Sequence, residues 1–192
     1  MDIAADQKQI SAEERAEINK QVKAELVEHL YQGCLPGTIT GVPVGIAFFI
    51  DFFGYTPNHL LFAWFAYYNL ALIALTGLYF FYRRYKSKYS LQTWLISYSI
   101  VMSLCALAWG MSVYLIPDHV ARQYFAFIAL FILGTGYATG TIGVFPLCVV
   151  TQAIIVIPLA SWCFMQGSLF YTLIGVFTIM YMGFMLGINR RS

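Results

Sequence analysis

The stretch HLLFAWFAYYNLALIALTGLYFFY, from His59 to Tyr82, decides the fold. It holds no Asp, Glu, Lys or Arg, and Arg83-Arg84 follow it directly. The hydrocarbon core of a bilayer is about 30 Å thick, so a helix needs roughly 17–25 mostly apolar residues to cross it. A helix also satisfies its backbone hydrogen bonds within itself, which a bilayer demands. The segment therefore reads as one transmembrane helix with a charged stop.

Similar segments lie on both sides of it. The spacing predicts spans from about Leu35 to Phe53, Leu91 to Ile116, Gln123 to Thr141 and Phe145 to Met165. A last one follows the turn Gln166-Gly167-Ser168 and ends at Asn189-Arg190-Arg191. The expected fold is all-α: a polytopic bundle of six transmembrane helices. The stretch from Gly134 to Pro146 carries no charge, so it reads either as a loop or as a broken or re-entrant helix.

Composition agrees. Hydrophobic residues make up 60% of the chain and charged residues 10%, against about 25% charged in an ordinary soluble domain. Aromatic residues reach 18%, and membrane proteins use them at their interfaces. Cys34, Cys105, Cys148 and Cys163 show no metal-ligand spacing and read as small buried hydrophobes. No metal and no cofactor is expected. Basic residues cluster at segment ends rather than on one folded face, which excludes nucleic acid as a partner.

Ahead of the first span, Ser11-Ala-Glu-Glu14 reads as a capping box. Ile18, Val22, Leu26 and Leu30 then recur every four residues among charged ones. This predicts an amphipathic helix lying on the membrane or against a partner helix. Residues 1–33 form a cytoplasmic segment on this reading, 34–189 the membrane domain, and 190–192 the start of a linker. The polar N-terminus has no apolar core of a signal peptide.

Basic residues set the expected orientation. With both termini inside, the Arg83–Lys88 run and Arg190-Arg191 are inside too. Only Arg122 lies outside, so ten of the eleven Lys and Arg residues are cytoplasmic.

Two glycine series bear on packing. Gly33, Gly37, Gly41 and Gly45 make a strict four-residue stripe on the first span. Gly134, Gly136, Gly140 and Gly143 enrich the fourth, and Gly183 and Gly187 the sixth. Such stripes let another backbone approach closely, within the chain or in a homodimer.

No phosphate loop, H-E-x-x-H or nucleophile motif is present, so no enzyme is expected. The helix centres hold no ionisable acid or base, against an ion-coupled pump. Asn69 and Gln152 are amides within spans, to be satisfied by interhelical hydrogen bonds or by a ligand. Around Asn69 stand Trp64 and Tyr68, and elsewhere Trp109, Ser112, Tyr137 and Trp162. Rings with a polar edge suit a small amphiphilic ligand between helices, though most such rings serve as core or interface belt.

Several short motifs resemble one family. Leu30-Tyr31 ends the charged helix, Ala63-Trp64 opens the second span, and Tyr82-Arg83-Arg84-Tyr85 closes it. Trp109-Gly110 lies late in the third, Gly134 to Gly143 in the fourth, Pro158 in the fifth, and Asn189-Arg190-Arg191 after the sixth. Over about residues 20–191 this resembles the membrane-associated sensor domains that precede histidine-kinase or diguanylate-cyclase outputs in bacterial signalling proteins. The resemblance implies a bacterial inner-membrane sensory module, a homodimer, and a cytoplasmic output domain in cis or in trans. Because the chain stops at Ser192, the expectation is the sensor portion of a longer protein. The short outer loops imply an intramembrane or lipophilic signal; some six-helix kinase sensors of similar outline bind hydroxyketone autoinducers. Two other readings stay open: a structural or assembly subunit of a membrane complex, and a small transporter for a neutral or lipidic substrate.

Overall fold

In a computed structural model that describes residues 12–141 and 143–191, the chain is all-helical, without strands among the described residues. The elements are α1 (Ala12–Gln32), α2 (Cys34–Phe52), α3 (Asn58–Tyr85), α4 (Leu91–Ser112), α5 (Val120–Gly140), α6 (Phe145–Met165) and α7 (Leu169–Arg191). Six helices are long and apolar enough to cross a membrane, which is the architecture of a multi-pass membrane protein. Ser11 of the expected capping box and Ser192 of the expected linker lie outside the described residues.

The spans end where local chemistry ends them. Ser90 caps α4, its Oγ accepting from the Thr93 N–H at 3.1 Å. Arg83-Arg84 do not stop α3, which continues to Tyr85. Its 28 residues make a helix of about 42 Å, longer than the hydrocarbon core. The uncharged Gly134–Pro146 stretch is neither a broken nor a re-entrant helix. α5 runs unbroken to Gly140, the chain turns through Gly143 at φ +86°, and α6 starts with Pro146 in its first turn.

α1 departs most from expectation. Gly33 has helical dihedrals, φ −71° and ψ −18°, and its N–H donates to His29 at 3.3 Å while its carbonyl accepts from Gly37 at 3.0 Å. α1 and α2 therefore form one helical run, Glu14–Phe52, and α1 does not turn aside to lie on the membrane. Its buried residues are Val27, Leu30, Tyr31 and then Cys34; of the expected stripe Leu30 is buried and Leu26 half-buried. Ile18 and Val22 are 50% and 56% exposed. Steps of four residues drift around a helix of 3.6 residues per turn, so the stripe leaves the packed face after one or two turns. Tyr31 stacks on Tyr82 of α3 with ring centroids 4.0 Å apart, and its hydroxyl donates to the Trp94 carbonyl of α4 at 3.0 Å. Tyr82 in turn donates to Glu28 at 2.8 Å. Leu26 rests against Gly143 in the α5–α6 turn.

Those contacts bring α1, the end of α3 with its basic run, the start of α4 and the α5–α6 turn to one end of the bundle. The end of α7 joins them, since Asn189 donates to the Ala138 carbonyl at 3.2 Å. At the opposite end Thr56 donates to the Leu115 carbonyl at 2.7 Å and Arg122 to the Asp51 carbonyl at 2.8 Å. Arg15, Lys20 and Lys23 on α1, the Arg83–Lys88 run and the Arg190-Arg191 end of α7 therefore form three basic clusters at one end, and Arg122 sits at the other.

Two aromatic-rich cores follow. One joins Phe48, Phe52, Trp64, Tyr68 and Trp109; the other joins Tyr31, Tyr82, Trp94 and Tyr98 at the α1 end. Tyr137 of α5 packs against both. All four cysteines are free and buried.

Candidate ligand cavity between the second and fifth helices

The cavity begins with the glycines. On α2, Gly41 and Gly45 meet not another backbone but the Tyr68 ring of α3. The Tyr68 hydroxyl donates to the Gly41 carbonyl at 2.7 Å. One turn closer to α1, Gly37 has open space where a Cβ would stand, and so do Gly136 and Gly140 of α5. α2 and α5 make only sparse contact. Side chains missing from both helices leave a cavity of about 150 Å³ between them.

Its deep wall is aromatic and sulfur-bearing. Tyr68 and Leu72 come from α3, Tyr98, Met102, Cys105 and Trp109 from α4, and Tyr137 and Leu133 from α5. Tyr68, Tyr98, Cys105 and Trp109 are buried, while Gly37, Thr40 and Gly136 at the mouth are exposed. The exposed side of these spans is where a bilayer would lie, so the cavity opens sideways toward lipid. Cys34 lines it where α1 runs into α2.

Most of the lining's polar groups are already used. Thr40 donates back to the Pro36 carbonyl at 3.0 Å, and Tyr98 to the Gly140 carbonyl at 3.3 Å. The Cys34 and Cys105 thiols face the Leu30 and Ala71 carbonyls at 3.7 and 3.6 Å. No Asp, Glu, Lys, Arg or His lines the cavity, and among the described residues no three His, Cys, Asp or Glu side chains could hold a metal ion.

Of the ligand residues expected from sequence, the structure brings Tyr68, Trp109 and Tyr137 together on this cavity. The others lie elsewhere. Trp64 stacks on Tyr68 and donates to the Ala108 carbonyl at 2.6 Å, as part of the core. Ser112 donates to Trp109 within its own helix at 2.7 Å. Asn69 also bonds within its helix, to Phe65 at 2.7 Å, and lines a separate shallow groove beside Thr38 and Thr76. Gln152 is fully buried and donates to the Gly134 carbonyl at 2.7 Å, an interhelical bond. Trp162 packs edge-on against Phe127 and Tyr171. Gly33 and Gly41 line the cavity with Gly37, Gly136 and Gly140, whereas Gly45 is filled by Tyr68. Sequence reasoning missed Tyr98, Cys105 and Cys34. The spacing of Tyr98, Met102 and Cys105 on one helical face was the available sign.

Compared with protein-family models, curated proteins and solved structures, the chain matches none.

Proposed function

We propose that this protein is a membrane-embedded sensory module. A small lipophilic signal occupies the cavity between α2 and α5, and the change in helix packing passes through α1 to a kinase or cyclase output domain. The carrying observation is that the cavity and α1 share walls. Cys34 and Tyr98 line the cavity and pack with Tyr31 in the core that seats α1. A shift of α2 against α4 therefore alters the seat of α1, and a ligand that favours one packing over another shifts the balance between them.

Other features support the reading. The three basic clusters share the α1 end, which the positive-inside rule makes cytoplasmic in a bacterial inner membrane. The connections at the opposite end are short, near Gly54, Pro117 and Gly167, so they hold no ligand domain. The motif resemblance to membrane-associated sensor domains points the same way. A homodimer belongs to this proposal: Gly183 and Gly187 on α7 have open space at the Cβ, and α7 packs mainly on α6.

The test fills the cavity from within. Gly136→Phe has room at its Cβ and places a ring at the mouth. Hydrogen exchange of residues 22–31 should change relative to wild type in the same detergent or nanodisc. Unchanged exchange there, with the fold intact, would show that the cavity and α1 are uncoupled and would remove the basis of the proposal.

A further inference from the structure

Tyr137 stands apart from the other hydroxyls of the cavity. Thr40, Tyr68 and Tyr98 each donate to a backbone carbonyl. The Tyr137 hydroxyl has no hydrogen bond among the described residues, although its ring packs between both cores. A phenol O–H in apolar surroundings is costly when unpaired and is a stronger donor than acceptor. Among the lining hydroxyls, that of Tyr137 is therefore the one donor without a partner among the described residues.

Three more features narrow what fits. The volume, about 150 Å³, takes a molecule of roughly benzene's bulk. The lining has no charged side chain, so a charged ligand would lose its hydration without a partner. The mouth, at Gly37, Thr40 and Gly136, faces the lipid side rather than either end of the bundle.

We infer that the cavity binds one small uncharged molecule that bears a hydrogen-bond acceptor, held by the Tyr137 hydroxyl and admitted from the bilayer between α2 and α5. This rests on the cavity being a ligand site, as proposed above, and adds the chemistry of the ligand and the residue that selects it. The mouth glycines are then an entry slit, and Tyr137 is the specificity-determining residue.

The test uses cyclohexanone and cyclohexane, rings of similar size with and without the acceptor, on the full chain in nanodiscs. Binding is read from the saturable rise in unfolding midpoint and from the carbonyl stretching band of 13C-labelled cyclohexanone, which a phenol moves to lower wavenumber. Wild type should bind cyclohexanone about fivefold more tightly than cyclohexane, with the band shifted. Tyr137→Phe, which keeps the ring, should bind both equally and show no shifted band. Gly136→Leu, which blocks the mouth, should bind neither.

Equal binding of both rings by wild type would overturn the acceptor chemistry and leave the cavity as a ligand site. Binding of neither ring, with Gly136→Leu indistinguishable from wild type, would overturn the ligand site as well. A lipid acyl chain or ester is the rival occupant. A phospholipid retained one to one by wild type but not by Gly136→Leu, and not displaced by cyclohexanone, would assign the cavity to membrane lipid instead.

Discussion

The Tyr68 ring fills the groove left by Gly45, and its hydroxyl closes on the Gly41 carbonyl at 2.7 Å. A Cβ on Gly45 would overlap the ring, and one on Gly41 would stand 2.8 Å from the hydroxyl. Gly45→Ala and Gly41→Ala are therefore expected to cost about 1–3 kcal/mol by overpacking, and Gly41→Leu more. Gly37→Ala, with open space at its Cβ, should cost nothing. Unfolding midpoints in one detergent separate the three. Equal loss at Gly37 and Gly45 would mean the stripe acts as a unit rather than through Tyr68.

A tighter approach occurs between α4 and α6. A Cβ on Gly110 would meet the Ile154 carbonyl oxygen, a backbone atom. A ring can tilt away, whereas a carbonyl held in a helix cannot. Gly110→Ala should lower the unfolding midpoint more than Gly45→Ala, and a smaller drop would place the two helices farther apart than they are here.

The seat of α1 is aromatic rather than ionic. Lys86 lies 3.7 Å from Glu28, but the two side chains are 63% and 43% exposed, and such pairs contribute about 0–1 kcal/mol. Tyr31 is buried and bonded to Trp94. Tyr31→Phe should cost about 1 kcal/mol and Tyr31→Ala about 3 kcal/mol or more, while Lys86→Ala should be near neutral. Tryptic cleavage after Lys20 and Lys23 reports release of α1 and should accelerate in that order of severity.

Arg122 holds the opposite end. Its guanidinium lies 3.4 Å from the centroid of the Tyr55 ring, and its Nε donates to Asp51. Arg122→Ala should cost about 1–2 kcal/mol. Arg122→Lys should recover little of it, because an ammonium cannot stack flat on the ring while donating sideways. Full rescue by Lys would show that charge alone matters at this position.

Orientation is open to a direct measurement. A reporter active only outside the cytoplasm should work when inserted at Asp118 and fail at Lys88. The reverse pattern would turn the bundle over and put α1 on the wrong side for a cytoplasmic output.

The path from sequence to site was uneven. Tyr68, Trp109 and Tyr137 were legible as cavity candidates because rings with polar edges are chemically distinctive. Asn69 and Gln152 looked equally distinctive, yet one bonds within its own helix and the other to Gly134. An amide's residue type shows that it needs a partner and leaves open which partner it finds. Cys34 read only as a buried hydrophobe and Tyr98 was not singled out, because shared spacing marks a buried helical face and leaves open whether that face lines a cavity or packs in the core.

The sequence alone determined the six spans and the placing of its basic clusters at span ends. Transfer of a segment into a bilayer depends on that segment's own length, polarity and flanking charge, all written locally. The tertiary structure alone decided that Gly45 receives Tyr68, that α1 runs on into α2 and seats on α3 and α4, and that Gly37 faces Gly136 across a cavity. The physical reason is that lipid and protein interior are equally apolar. Hydrophobicity therefore cannot say which face of a span meets lipid and which meets a helix far along the chain. Only the fit of side chains between helices, ring into groove or gap against gap, makes that choice.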